Sequence, residues 1–585
     1  MSPTPGSSRA GLRTAAVLVA ASLALSSCGV DPAPPPAPEA RTGATPDEDR
    51  ATSEAPSPPG EFAGVSLEPV PGSDGAVRRT VLDSSNEGAV DPYDAEVQQA
   101  VADTLAELAA EEEPAPDAPL LVLNPYGTST TGIWARFATP QDGTLTYTVS
   151  APGTEDWTRT AVDASADPGV FETQLVGVVP GAENTVTTSF RPADGSAPVE
   201  HEVRLTAPAA RSGHPGTLER SGGEADAREL TEGLFVLSGL DGSKGSNLLV
   251  DNSGTVRGEI TGRSYRADRI EFHDGTMVVP VDLSTLAQID PLGRAVRIHE
   301  LDGLKMHHDF VLTGAGEAIL LVDDGSKDSV EDVVAVLDLG TGESRVLLDF
   351  DDLMGSYKEQ TVEWAWGEDD EEKDMDWLHF NSVDLLDEDS LVLSARETSS
   401  VITVDDFRGE PTVAYLLGED DVWKGSDYEH LALEKRGDFP DHGGQHTVVG
   451  VRDESLGDGR HWVELFDNNF WQMRSRPDYE GEIPAGASTS FTGEDGDVSR
   501  VRRYLVDERA RTYELVDEFE VPYSSIVSSA QRHDGNLVVA SGMAKVFGEY
   551  DDDGTLLAQY TVDTEELLVY RVLKYTFEDF WFGTE

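Results

Sequence analysis

Apolar residues in this chain recur mostly at a spacing of two. Leu145, Tyr147 and Val149 alternate with threonines in LTYTV, and Val186 to Phe190 (VTTSF) has the same polar interior. Such runs, cut by Gly, Pro and Asp turns, predict short half-buried strands and a small β-sandwich over 119–210. One stretch breaks the pattern. Val97, Val101, Leu105 and Leu108 lie at helical spacing, which predicts a helix and linker over 91–118. Asp91 is its expected N-cap, Pro92 sits in its first turn, and the acidic run Glu111–Glu113 with Pro114 ends it. From about Glu229 the alternation becomes a loose repeat of strand, Asp-containing turn and strand. Six such turns lie at Asp251–Gly254, Asp290–Gly293, Asp338–Gly342, Asp405–Gly409, Asp507–Arg511 and Asp551–Gly554. Four-stranded units recurring at about 40–50 residues predict a β-propeller. The expected fold class is therefore all-β, a six-bladed propeller over 228–585 preceded by the small sandwich. A large sandwich or an irregular solenoid is the alternative.

The first ninety residues read differently. Arg9 and Arg13 precede an apolar run, Ala15 to Leu25, too short to span a bilayer as a stable helix, and Leu25-Ser26-Ser27-Cys28 follows. This looks like a bacterial lipobox, so residues 1–28 are expected to be a lipoprotein signal peptide with Cys28 as the lipidated residue. The alternative is an ordinary secretory leader with an incidental cysteine. Cys28 is the only cysteine in the sequence, so a mature protein lipidated there has neither free thiol nor disulfide. The expected location is extracytoplasmic, anchored to the cell membrane. Residues 29–90 are rich in Pro, Ala, Ser, Gly and Glu with few large apolar side chains, and are expected to form a disordered tether.

Charge narrows the partners. With 43 Lys+Arg against 110 Asp+Glu the formal net charge is −67, which repels nucleic acid and favours solubility. Against that background, local positive groups stand out. Asp376-Trp377-Leu378-His379 leads into an apolar run, an acidic turn at Asp387–Asp389, and a second run ending at Arg396. Two strands across such a turn place His379 and Arg396 on neighbouring positions, a seat for an oxyanion. Two further segments carry histidines in other repeat units: Met306-His307-His308-Asp309, and Asp441-His442-Gly443-Gly444-Gln445-His446-Thr447. In a propeller the innermost strands begin at the central channel, so these residues are expected to converge. Taken singly, each histidine is as compatible with a turn as with a site. Together they also suit zinc or copper, although Arg396 beside a cation carries an electrostatic cost. The acidic run Glu368 to Asp376 lacks the ligand alternation of a calcium loop and reads as a solvated loop. Trp364 and Trp366 before it are expected at a mouth for aromatic rings or in a strand core.

Asp376-Trp377-x-His379-x-Asn381-Ser382, followed by Ser394-Ala395-Arg396, resembles the signature of the bacterial aryl-sulfate sulfotransferases that work without a nucleotide donor. Other pieces occur in that family's order: Asn124-Pro125-Tyr126-Gly127, His307-His308-Asp309, Gln445-His446-Thr447, Phe466-Asp467-Asn468-Asn469 and Asp534-Gly535-Asn536. The resemblance covers roughly residues 119–585. It implies a six-bladed propeller with an N-terminal sandwich, a possible-partner set of an aryl sulfate donor and a phenolic acceptor, no cofactor and no metal, and often a homodimer. It implies His446 as a nucleophile that becomes sulfated, with His379, Arg396 and His308 as catalytic helpers around the sulfate oxygens. His307, Asn381 and Gln445 are implied in substrate binding, and the histidine doublet leaves open which member faces the site. Ping-pong kinetics follow from a covalent intermediate. Departures are Glu397-Thr398-Ser399-Ser400, where relatives often carry a more basic or amide-bearing pair, and His442, which has no family role. Two other readings stand beside this one: a non-catalytic propeller that binds a ligand or partner, and a metal-dependent propeller hydrolase or lyase.

Overall fold

Among the described residues there are eight sheets, and none closes on itself. The computed structural model describes residues 60–240, 245–364, 373–481 and 483–584. The expected leader, Cys28, the tether up to residue 59, Trp366 and most of the acidic run before Asp376 lie outside the described residues.

Two sheets form the N-terminal part. One has the order Phe62–Pro69, Val77–Ser84, Leu120–Leu123, Ile133–Ala138, Val170–Leu175; the other has Trp157–Thr160, Gly143–Ser150, Glu183–Pro192, Val199–Thr206. The period-two pattern explains the packing. Leu145, Tyr147 and Val149 point inward and share one core with Leu121, Ile133 and Phe137 of the first sheet. The Phe137 and Phe171 rings, paired on neighbouring strands of the first sheet, stack at 5.3 Å within that core.

Two expectations need correction here. The tether does not extend to residue 90, because Phe62–Pro69 and Val77–Ser84 pair antiparallel and Val77–Arg79 pair parallel with Leu121–Leu123. Their few apolar side chains, Val65, Leu67 and Leu82, build no core of their own; they pack on a cluster holding Val101, Leu105 and Trp134. The helix runs Ala95–Glu112 and its N-cap is Asp94, which accepts from Glu96 N and Val97 N. Asp91 is engaged elsewhere: it accepts from Tyr93 N at 2.9 Å and from Arg263 Nε at 2.8 Å. Val97, Val101 and Leu105 are buried, as their spacing requires. Asn124-Pro125-Tyr126-Gly127 is a joint: Tyr126 O accepts from Gln98 Nε2 of the helix, and Gly127 O from Thr261 Oγ1 of the next region.

Among the described residues the remaining chain forms six sheets, each built on four antiparallel strands, in sequence order in all but the first. The second contains Glu271–His273, Thr276–Asp282, Thr285–Ile289 and Ala295–Glu300, and the third Leu304–Leu312, Glu317–Asp324, Val333–Asp338 and Ser344–Asp349. The fourth contains Phe380–Leu385, Ser390–Ala395, Ser400–Asp405 and Thr412–Gly418. The fifth has His446–Arg452, Arg460–Asp467, Val498–Asp507 and Thr512–Pro522, with Glu434–Lys435 added at its edge. The sixth has Ser529–His533, Asn536–Ser541, Val546–Tyr550 and Leu556–Thr561, with Glu219–Gly222 at its edge. In the first sheet the C-terminal strand Arg571–Tyr575 pairs with Leu234–Ser238, ahead of Ser246–Val250 and Val256–Thr261.

Each of the six Asp turns joins the third strand of its sheet to the fourth. The aspartate makes the turn by accepting backbone N–H groups with its side chain. Asp251 takes Ser253 and Thr255, Asp290 takes Leu292 and Arg294, and Asp551 takes Asp553 and Thr555. In the fourth sheet Asp406, not Asp405, does this, accepting from Glu410 N.

Candidate active site

The histidines sit where the first strand of a sheet begins, and the backbone there is bent to aim them. His307 and His308 lie in Leu304–Leu312, whose register slips between Met306 and Phe310. His379 immediately precedes Phe380–Leu385, which slips between Phe380 and Ser382. His446 opens His446–Arg452, which slips between His446 and Val449. Such bulges re-aim side chains. Left-handed backbone recurs at the same places: φ is 55° at His308, 53° at His379, 50° at Thr447 and 91° at Ser528. Each such non-glycine residue costs about 1–3 kcal/mol, and strain of this kind concentrates at functional sites.

The result is a buried cluster drawn from five segments. The His308 ring centroid lies 5.1 Å from His379, 6.1 Å from His446 and 6.2 Å from Tyr570, and His446 lies 5.7 Å from Tyr570. His308 is thus the member of the doublet that meets the other rings. His307 lies behind it, Nδ1 to Nδ1 at 3.0 Å. Arg396 follows Ser390–Ala395, and its backbone N donates to His379 O at 3.1 Å, so the two residues adjoin across the hairpin.

Electrostatics divide the histidines into two kinds. His379 Nδ1 is 2.7 Å from Asp376 Oδ2 and 2.6 Å from Glu331 Oε2. Burial alone would lower its pKa, but the two acids outweigh burial and hold it well above the ordinary value, as an imidazolium. His446 goes the other way. Burial, then the positive charges of Arg571, His308, His379 and Arg396, push it well below the ordinary value, so it is neutral near pH 7. Thr447 Oγ1 donates to Ser528 O at 2.9 Å, and its lone pair faces His446 Nδ1 at 3.3 Å. That arrangement favours the proton on Nδ1 and a lone pair on Nε2. His446 Nε2 is buried and has no hydrogen-bond partner among the described residues.

Asn381 and Gln445, expected at the substrate, spend their amide donors on the scaffold. Asn381 Nδ2 donates to Gln445 O at 2.9 Å, and Gln445 Nε2 to Ser394 Oγ, Ala395 O and Ser400 O at 3.0–3.2 Å. They tie the fourth sheet to the loop that carries His446. Asp467 serves the same loop: its Oδ1 accepts from Gly443 N at 2.9 Å and from Asn469 N at 2.8 Å. His442 stays apart from the cluster, beside Tyr504 OH at 3.3 Å, with burial lowering its pKa to about 4. Glu397 takes the Ser475 N–H at 2.5 Å, and burial, then Asp376, raise its pKa to about 7.

Sequence reasoning missed Glu331, Tyr570 and Arg571. Arg571 begins the strand that occupies the first place in the first sheet, and its Nη1 donates to Asp309 Oδ1 at 2.9 Å. Asking which strand completes the first repeat unit would have found it. Glu331 has no local signal at all. Two sets of donors have the spacing of metal ligands: His307, His308 and Glu331, and Glu331, Asp376 and His379, each within 4.8 Å. In the second set the imidazolium of His379 lies between the two acids.

A family model described as arylsulfotransferase (ASST) matches residues 223–578. No curated protein matches the chain. Among solved structures, a protein of unknown function from Bacteroides caccae aligns at 9% identity and TM-score 0.34, over 58% of this chain and 98% of its own. Hsv2p of Kluyveromyces lactis aligns at 7% identity and TM-score 0.27, over 67% of this chain and 94% of its own. Likenesses this remote carry no argument about fold or activity.

Proposed function

Because the chain belongs to the arylsulfotransferase (ASST) family and is an aryl sulfotransferase, we propose that it moves a sulfuryl group from an aryl sulfate ester to a phenol through a sulfated His446. The observation that carries this reading is the pairing of a neutral, buried His446 Nε2 with a cationic neighbourhood of His379, Arg396 and Arg571. Nε2 attacks sulfur, an S–N bond forms and the S–O bond to the aryl oxygen breaks. The charge on the equatorial oxygens is met by Arg396 and His379, much as in phosphoryl transfer. The leaving phenolate takes a proton from the neighbouring imidazolium of His379. A phenol then attacks the sulfated histidine, the S–N bond breaks, the phenol proton goes to the imidazole that had protonated the leaving phenolate, and His446 is neutral again. The two half-reactions give ping-pong kinetics.

We also read the six sheets as blades of one propeller. Their sequence order, the shared place of the Asp turns, and the C-terminal strand beside Leu234–Ser238 support this. Lipid attachment at Cys28 and an extracytoplasmic, membrane-anchored position rest on the leader's sequence, and a homodimer rests on the family resemblance.

The test is incubation of the purified protein with 4-nitrophenyl sulfate, with and without phenol, and mass spectrometry of the peptide containing His446. Phenol-dependent release of nitrophenol with a sulfuryl group on that peptide is expected, and His446→Ala should abolish both without unfolding the protein. A folded protein that releases nothing points to a binding protein. Activity that depends on stoichiometric zinc or copper points to a metal-dependent hydrolase or lyase.

A further inference from the structure

We propose that Arg474, braced on the Trp364 ring at the rim of the transfer site, is a specificity-determining residue that receives a second anionic group on the acceptor ring, so that the enzyme favours phenols bearing a carboxylate. The inference rests on the aryl sulfotransferase reading above and names an acceptor class for it. Arg474 lies in the connection from Arg460–Asp467 to Val498–Asp507 of the fifth sheet. Phe466 pairs with His446, so this connection leaves the sheet at the end where His446 sits. It then crosses from the His446 loop to the hairpin that carries His379 and Arg396. On the near side Phe470 N donates to Gly443 O at 3.1 Å. On the far side Ser475 N donates to Glu397 Oε1 at 2.5 Å, and Glu397 is the residue after Arg396.

Trp364 fixes the direction of the Arg474 side chain. The guanidinium carbon lies 5.0 Å from the centre of that ring, a cation–π contact. The tryptophan is buried and pinned in turn. Its Nε1 donates to Asp376 O at 2.6 Å, its backbone N donates to Asp374 O at 3.1 Å, and Val362 N donates to Ser475 O at 2.9 Å. Asp376 is the residue whose Oδ2 lies 2.7 Å from His379 Nδ1. Arg474 is therefore held against both ends of the hairpin, at Asp376 through Trp364 and at Glu397 through Ser475. It is part-exposed, whereas His308, His379 and His446 are buried, so it lies outward of the imidazoles. Burial, then the charge of Arg396, lower its pKa, while Glu397 and Asp376 act the other way. The side chain nevertheless stays a cation at working pH, and its planar fork suits a carboxylate. A net charge of −67 repels an anionic acceptor, so a preference for one requires a local cation of this kind.

The test uses the purified full-length protein with 4-nitrophenyl sulfate as donor. The acceptors are 3- and 4-hydroxybenzoate, each set against the neutral hydroxybenzamide of the same shape. For at least one isomer the acceptor kcat/KM should favour the carboxylate by about ten-fold or more, chiefly through KM. Arg474→Gln should bring that ratio close to one. A wild-type ratio near one for both isomers, or a ratio that R474Q leaves in place, overturns the proposal. A loss of the same factor for carboxylates and amides assigns Arg474 to the sulfuryl group itself and also overturns it. Should R474Q not fold, Arg474→Lys keeps the charge but not the fork; its ratio must fall, and an unchanged ratio overturns the proposal. Calorimetric titration with the same four compounds needs no turnover. If neither protein turns over any aryl sulfate while R474Q loses hydroxybenzoate but keeps hydroxybenzamide, the transferase reading fails and the anion subsite stands.

Discussion

At the scale of single residues, the site rests on charge states that differ between chemically identical side chains. His379 is held cationic by Asp376 and Glu331, whereas His446 is held neutral by burial and by Arg571, His308, His379 and Arg396. In the proposed transfer the Arg396 guanidinium meets the charge that develops on the sulfuryl oxygens. Arg396→Ala should therefore lower kcat/KM with 4-nitrophenyl sulfate by about 10²–10³-fold, with partial recovery in Arg396→Lys. The depressed His446 pKa has a sign that can be checked. Its nucleophilic form persists as pH falls, so the acid limb of kcat/KM should lie clearly below pH 6.5, the ordinary value for the free side chain. In the unfolded chain the same histidine protonates at its ordinary value, so it costs the folded state stability progressively as pH drops below 6.5. His308, His379, Arg396 and His446 were legible because each lies in a short motif with its local partners. Glu331, Tyr570 and Arg571 were not, because their meaning comes wholly from residues on other sheets.

Elements impose their own constraints through the backbone. The loop before His446 passes under Phe470, and Gly444 has a φ of +60° with its would-be Cβ 2.5 Å from Phe470 O. A side chain there collides with backbone and also strains the turn. Gly444→Ala should cost about 1–3 kcal/mol of stability and displace His446, so a lower melting temperature and a large loss of turnover are expected together. Gly314 is the control: its Cβ would meet nothing within 4 Å, and Gly314→Ala should leave both unchanged. The helix illustrates how far local pattern reaches. Its buried stripe at Val97, Val101 and Leu105 follows from spacing, but its start does not. Asp91 and Asp94 are equally good caps in isolation, and Arg263, far along the chain, engages Asp91 and leaves Asp94 to cap.

The whole molecule depends on its last strand. Arg571–Tyr575 supplies the first place of the first sheet and carries both Arg571 and Lys574, whose Nζ meets Glu549 Oε2 at 2.8 Å in a fully buried pair. Deleting residues 571–585 would expose Leu234–Ser238 as an unpaired apolar edge and leave Glu549 buried without its cation. The truncated chain is expected to aggregate or to show no cooperative unfolding by circular dichroism. Net charge acts at the same scale. A formal −67 repels itself in the folded state, so added sodium chloride should raise the melting temperature until the repulsion is screened.

The sequence alone determined what is local: the all-β character, the Asp turns between strands, the apolar stripe of the helix, and the short motifs around His308, His379, Arg396 and His446. These depend on period-two burial, on aspartates bonding to N–H groups two to four residues on, and on neighbours within a hairpin. Only the tertiary structure decided that Val77–Ser84 and its partner join a sheet rather than a tether, that Asn381 and Gln445 hold the scaffold, and that Glu331 meets His379. It also decided which histidine is charged and which is neutral, because a pKa is set by burial and by charges through space, and those come from strands far apart in the chain.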